Sequence, residues 1–318
     1  MAANWMRRTL VAAACASAAL LTACGSSSVE SAISPDRFVI FGDGLADQGQ
    51  LGTSYSVNDG SINNWTAQFA SRYDVKTTAS SKGGTNYAYG NARISATPDV
   101  VGNANTPTVV KQVDTFLASN KITNDDIFVV SAGVSDVIAN TNAFLNGTIT
   151  EEQLKANVVQ AGADLAVQVR RLNSAGAKHI VVTGTYDLSR SPWAKAINKE
   201  ALLSSLSIAL NNKLKIDLTD NLTGKQVMYI DVAYEVNLFE GSPGSFGFTN
   251  SDKPVCNSVD TGAGIGIGTN EINSALCTTS TVNDVNYNRY VFADKIYLSP
   301  EANRRLGDYA RDIIINQW

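Results

Sequence analysis

The chain has 318 residues, of which 44% are hydrophobic, 8% aromatic and only 17% charged, against about 25% charged in an average soluble protein. Such a balance excludes a disordered polyelectrolyte and supplies enough apolar surface for one large core. With 25 Lys and Arg against 29 Asp and Glu, a net charge of −4 and no basic run beyond Arg7-Arg8, the chain offers no electrostatic footprint for nucleic acid.

The N-terminus reads as an address. Arg7-Arg8 precede the apolar stretch from Thr9 to Ala23, which is short of the ~20 apolar residues that span a bilayer. It ends in Leu21-Thr22-Ala23-Cys24, a tetrapeptide that resembles the bacterial lipobox. The resemblance implies removal of residues 1–23 as a signal peptide and lipidation of the Cys24 thiol. The protein is then expected in the cell envelope, at the outer membrane or on the periplasmic face, held to the membrane through lipid. Gly25-Ser26-Ser27-Ser28 begins a flexible tether, taken to run over 24–35, and residues 36–318 form the body. Once Cys15 and Cys24 are set aside, Cys256 and Cys277 remain for pairing in an oxidising compartment. The loop they enclose carries Gly262, Gly264, Gly266 and Gly268 and is expected to be a stapled surface lasso within an insertion over residues 240–290.

From Arg37 onward, short apolar runs alternate with helical patterns, which predicts an α/β domain with a parallel sheet covered by helices. Arg37-Phe38-Val39-Ile40-Phe41 reads as the first strand. Trp65, Phe69 and Tyr73 form a helical stripe over 64–73, and a second helix is expected over 106–119. Ile127 to Val130 is a buried strand. The next helix starts with Thr150 and Gln153 as a capping box, carries Leu154, Val158, Ala161, Leu165, Val169 and Leu172 on one face, and stops at Gly176. His179 to Val182 is a strand, Leu202 to Leu214 a helix, Val227 to Val232 the last strand, and Ser299-Pro300 opens a terminal helix through Ile314. No second domain is visible.

The first strand ends in Phe41-Gly42-Asp43-Gly44-Leu45-Ala46-Asp47-Gln48-Gly49. This resembles the first block of the GDSL, or SGNH, ester hydrolases and lipases, F-G-D-S-L-S-D-x-G. Three further blocks follow in family order: Gly84-Thr85-Asn86-Tyr87-Ala88-Tyr89-Gly90-Asn91-Ala92, then Gly133-Val134-Ser135-Asp136, then Asp294-Lys295-Ile296-Tyr297-Leu298. Gln112-Val113-Asp114-Thr115-Phe116-Leu117 and Gly247-Phe248-Thr249-Asn250 are also similar to family segments. The resemblance spans roughly residues 36–315. It implies a three-layer SGNH-hydrolase-like, flavodoxin-like fold with a mostly parallel sheet and helices on both faces.

The resemblance also marks what is missing. The nucleophile position is Gly44, which keeps a turn and an N–H but has no oxygen to attack a carbonyl. The oxyanion donors of the second and third blocks fall on Asn91 and Ser135. The imidazole position falls on Tyr297, three residues after Asp294, and a phenol with pKa about 10 is a poor general base near neutral pH. The single histidine, His179, starts a strand far from that block. No family catalytic residue set is intact, no cofactor is implied, and no His/Cys cluster points to a metal. Asp43 and Asp47 read as helix or loop caps. Three functions stay open: an inactive envelope lipoprotein binding an ester, acyl or carboxylate ligand or a protein partner; an esterase or lipase using a displaced nucleophile such as Ser131 or Ser135; and a purely architectural lipoprotein. An open pocket around Gly44 favours binding, and a filled one favours architecture.

Overall fold

In the computed structural model, residues 31–318 are described. The expected signal peptide, Cys24 and most of the expected tether lie outside the described residues. Four parallel strands form the central sheet in the order β1 (Arg37–Gly42), β2 (Asp126–Ser131), β3 (His179–Thr183) and β4 (Val227–Tyr229). β2 is buried along its whole length, which is why its sequence is a continuous apolar run and does not alternate. On the free side of β1 lies the extended segment 85–89. Ile40 N donates to Thr85 O at 3.0 Å, Tyr87 N to Ile40 O at 2.7 Å and Tyr89 N to Gly42 O at 3.2 Å. The chain therefore passes from β1 to one of its sides and then crosses to β2 on the other. The C-terminal end of β1 is a topological switch point, where open α/β sheets place their sites.

Helices cover both faces. α1 (Trp65–Ser71) packs on the terminal α8 (Pro300–Ile314), while α2 (Val109–Ser119), α3 (Val134–Leu145), α4 (Glu151–Ser174) and α6 (Glu200–Asp217) pack together. Caps fix the starts, which for α2 is Val109 and not residue 106 as expected. The Asn64 side chain accepts from Thr66 N, Thr108 from Lys111 N, and Ser299 from Ala302 N, while Thr150 and Gln153 form both halves of the capping box. Each such cap contributes about 1 kcal/mol.

Several boundaries differ from those expected. The strand predicted through Val232 stops at Tyr229, because Asp231 accepts from Tyr234 N at 3.0 Å and starts α7 (Val232–Gly241). α3 and the short α5 (Pro192–Ile197) are additional. α3 has no side-chain cap of its own at Gly133, and its cap comes from Asp43, ninety residues earlier, so no local signal announces it. The insertion is ordered: β5 (Asn250–Pro254) runs parallel to β8 (Tyr290–Phe292), and β6 (Val259–Asp260) pairs antiparallel with β7 (Glu271–Ile272). Cys256 and Cys277 are disulfide-bonded, with Cα atoms 5.9 Å apart. The end of the expected tether lies on the body. Ala32 N and Ser31 Oγ donate to Trp318 O at 3.1 and 2.9 Å, and Ile33 packs against the core.

Candidate functional site

The four sequence blocks converge at the C-terminal ends of β1 and β2. Asp43 is fully buried and acts as the remote cap of α3: its Oδ2 accepts from Gly133 N and Val134 N at 2.9 Å and from Ser135 N at 3.4 Å, and its Oδ1 accepts from Leu45 N at 3.2 Å. Burial pushes its pKa up to about 6, against the pull of these N–H donors. Asp47 holds the second block to the first, accepting from Gly49 N and Gln50 N on one oxygen and from Gly90 N at 2.8 Å on the other. Burial also raises its pKa. Both carboxylates tie backbone segments together.

Gly44 is buried, and the space above it is taken. A Cβ at position 44 would stand 2.4 Å from Tyr297 Oη and 2.6 Å from its Cζ. Tyr297 is 1% exposed, and its ring centroid is 4.8 Å from that of Tyr55. Tyr55 in turn covers Gly90, where a Cβ would fall 2.0 Å from its hydroxyl. Two tyrosines therefore fill the space above the family's nucleophile position, Gly44, and above Gly90, the residue before the second-block donor position Asn91. Glycine is the residue that both positions admit.

Asp294 fixes this arrangement. Its Oδ1 accepts from Ile296 N and Tyr297 N at 2.7 Å, and its Oδ2 accepts from Ser274 N at 2.9 Å. Its carboxylate thus secures the Tyr297 turn and the disulfide loop together, and burial raises its pKa. Tyr186 adds a hydrogen bond from its hydroxyl to Ile296 O at 2.6 Å. The glycine-rich loop is more than a surface lasso. Ile265 is buried, Gly264 O accepts from Asn91 Nδ2 at 3.1 Å, and Gly266 O accepts from Asn142 Nδ2. With φ +65°, Asn91 sits in the left-handed region that asparagine tolerates better than most residues, and its amide is spent on the loop.

Ser135 is fully buried, and its Oγ has no hydrogen-bond partner. Ser131 is buried as well and accepts from Thr183 Oγ1 at 2.9 Å. Neither serine meets a base. His179 pairs in register with Ile127, four residues or about 13 Å along the strand from the level of Ser131 and Thr183, and its ring packs edge-on against Trp318 at 4.9 Å. Burial lowers its pKa. Among the described residues, no group of three or more His, Cys, Asp or Glu is placed to hold a metal ion. Sequence reading brought Gly44, Asn91, Ser135, Asp294 and Tyr297 to one site but missed Tyr55, which lies in a loop with no periodic or motif signal.

A parallel sheet with the F-G-D turn at its switch point, joined there by three ordered blocks, defines an α/β ester-hydrolase framework. A profile described as GDSL-like Lipase/Acylhydrolase matches residues 38–310, and the chain belongs to that family. It is 28% identical over 205 residues to one GDSL esterase/lipase of Arabidopsis thaliana, across 60% of this chain and 52% of the relative. To another from the same plant it is 27% identical over 213 residues, across 62% and 55%. The chain thus spans about half the length of the curated relatives it matches. Among solved structures, a lipolytic protein G-D-S-L family member from Veillonella parvula overlays with TM-score 0.44 and 12% identity, over 89% of this chain and 99% of that one. A carbohydrate acetylesterase family member from Sinorhizobium meliloti gives 0.38 and 13%, over 88% and 98%.

Proposed function

We propose that this chain is a non-hydrolytic GDSL-family lipoprotein of the bacterial envelope, anchored through Cys24, in which the ancestral cleft has become part of the core. The observation that carries the reading is the occupation of the space above Gly44 by Tyr297. A missing serine could be a local loss. A missing serine whose room is filled by the residue at the imidazole position, braced by Tyr55 and tied down by Asp294, is a site converted to packing. An ester, acyl or carboxylate ligand has no room above Gly44 in this arrangement, which favours an architectural role for this end of the domain. The displaced-nucleophile alternative gains nothing from Ser131 or Ser135, since both are buried away from the histidine.

The disulfide supports an oxidising compartment. Ser31 and Ala32 donate to Trp318 O, and residues 32–35 lie beside Asn124, Asp125 and His179, at the N-terminal ends of β2 and β3 and away from Gly44. The reading is tested by incubating purified protein with short-chain aryl esters, phospholipid vesicles and a fluorescent phosphonate, beside an active GDSL esterase. The expected result is turnover equal to buffer and no covalent label. Turnover that co-purifies with the chain and is titrated by the phosphonate overturns it.

A further inference from the structure

We propose that the groove between the segment 85–89 and α2 binds a neutral, hydroxyl-rich ligand of one or two sugar rings. Residues along this extended segment alternate. Asn86 and Ala88 are buried on one face, whereas Thr85, Tyr87 and Tyr89 share the other and are half-buried, as the period of two requires. That side faces α2, from which Gln112 and Thr115, one turn apart, supply the opposite wall, and Asn120 closes one end. The groove opens to solvent and has a volume of about 500 Å³, within the range of ~300–1,000 Å³ typical of small-molecule sites.

The lining decides the ligand's chemistry. Tyrosine is the only titratable residue type on the walls, which otherwise carry hydroxyls, amides, glycine and Pro107. An anion would find no cation there, and a cation no carboxylate. A wholly apolar ligand would offer nothing to the acceptor and donor capacity that the wall hydroxyls and amides keep after their bonds within the protein, and covering such capacity unmet costs about 1–3 kcal/mol per group. A ring with one apolar face and a rim of hydroxyls meets both needs, stacking on tyrosine and bonding to the amide and hydroxyl groups. Those groups have capacity to spare. Tyr87 Oη accepts from Asn120 Nδ2 at 3.2 Å and keeps its own proton to donate, while Thr115 Oγ1 donates to Lys111 O at 2.8 Å and keeps its lone pairs to accept.

The walls are also fixed in advance. The Tyr87 ring stacks on Phe41 at 5.7 Å and meets Phe116 edge-on at 6.0 Å. The Gln112 amide makes two bonds to the Gly42 backbone, at 2.8 and 2.9 Å. Little side-chain freedom is left to lose on binding. A peptide adding as a strand is the poorer occupant, because the outer edge of the segment is already paired: Asn86 N donates to Thr78 O at 3.1 Å and Ser80 N to Asn86 O at 2.7 Å.

The test is saturation-transfer NMR and calorimetric titration of the full chain, in a detergent without a sugar headgroup. The probes are maltose and chitobiose, with galacturonic acid as the anionic comparator and a short alanine-rich peptide as the strand comparator. Either neutral disaccharide should bind at or below ~10 mM, ahead of both comparators. Thr115→Arg, at an exposed helix position, should fill the groove and weaken binding about tenfold or more, and Tyr89→Ala should do likewise, with both variants shown to be folded by circular dichroism. Absence of binding by both disaccharides, preference for galacturonate or peptide, or affinity unchanged in folded Thr115→Arg each overturns the proposal. The readout is binding, so its failure leaves the non-hydrolytic reading of Gly44 untouched.

Discussion

Tyr297 Oη occupies the place that a side chain at Gly44 would need, 2.4 Å from the position of its Cβ. The two residues are mutually exclusive in size, and each explains the other. The contact is steric, since the Tyr297 hydroxyl is buried without a hydrogen-bond partner. Gly44→Ser should therefore cost about 1–3 kcal/mol of stability by overpacking, and Tyr297→Ala about 3–5 kcal/mol by opening a cavity. The double variant should cost clearly less than the sum. Urea denaturation of the four proteins measures the coupling, and strict additivity would show that the residues do not meet.

Tyr297→Phe keeps the ring and deletes an unpaired buried oxygen. It should be neutral or stabilising by up to about 1 kcal/mol. A loss of more than that on the same denaturation curves would mean that the hydroxyl has a partner.

Gly44→Ser with Ser135→Asn and Tyr297→His restores the family residues but not the cleft, because Tyr55 still covers Gly90 and the disulfide loop still packs on Asn91. The triple variant should remain at buffer level in an aryl-ester assay. Hydrolysis above that level would show that the cleft opens once Tyr297 is removed.

Asp294 is the acceptor for three backbone N–H groups from two segments. Asp294→Ala strands all three and should destabilise by about 2–4 kcal/mol. Hydrogen exchange should speed up at the amides of Ser274, Ile296 and Tyr297 before the rest of the domain. Exchange that rises uniformly would argue against a local clamp.

Asp43 and Asp136 are both buried, and desolvation raises both to about 6. Asp136 accepts from Ile94 N and pairs with Arg93. Each carboxyl keeps its proton to higher pH in the folded chain than in the unfolded one. Between about pH 4 and 6 the folded state therefore binds more protons, and stability falls as pH rises, levelling off above that window. Below it, carboxylates held at lowered pKa by hydrogen bonds, such as Asp308, act in the opposite sense. Thermal melts should give a higher Tm near pH 5 than at pH 7.5, with a contribution on the order of 1–3 kcal/mol per group. Asp43→Asn should flatten the slope, and an unchanged slope would remove Asp43 as its source.

Reducing Cys256–Cys277 releases a loop with a sequence separation of 21, worth about 3 kcal/mol in closure entropy. The Tm should drop accordingly, and the loop around Ile265 should become the first site of limited proteolysis. Equal protease resistance with and without reductant would show that packing alone holds the loop.

Much of this molecule is written locally. The apolar runs of β1 to β3, the capping box at Thr150 and the Ser299-Pro300 start are determined by residues within a few positions of one another, so sequence alone located them. The four ordered blocks likewise revealed the family and put Gly44 and Tyr297 at its nucleophile and imidazole positions. What the sequence could not decide was whether the space above Gly44 is open. That depended on Tyr55, a loop residue that covers Gly90 and meets Tyr297, the latter contact forming only when segments more than two hundred residues apart fold together. The same applies to α3, whose cap is Asp43 on a different strand end, and to the glycine-rich loop, whose tip is fixed by Asn91 and Asn142. Backbone propensity and caps act over one turn and are legible in order along the chain. The filling of a cavity is a sum over side chains from distant segments, and only the tertiary structure brings them together.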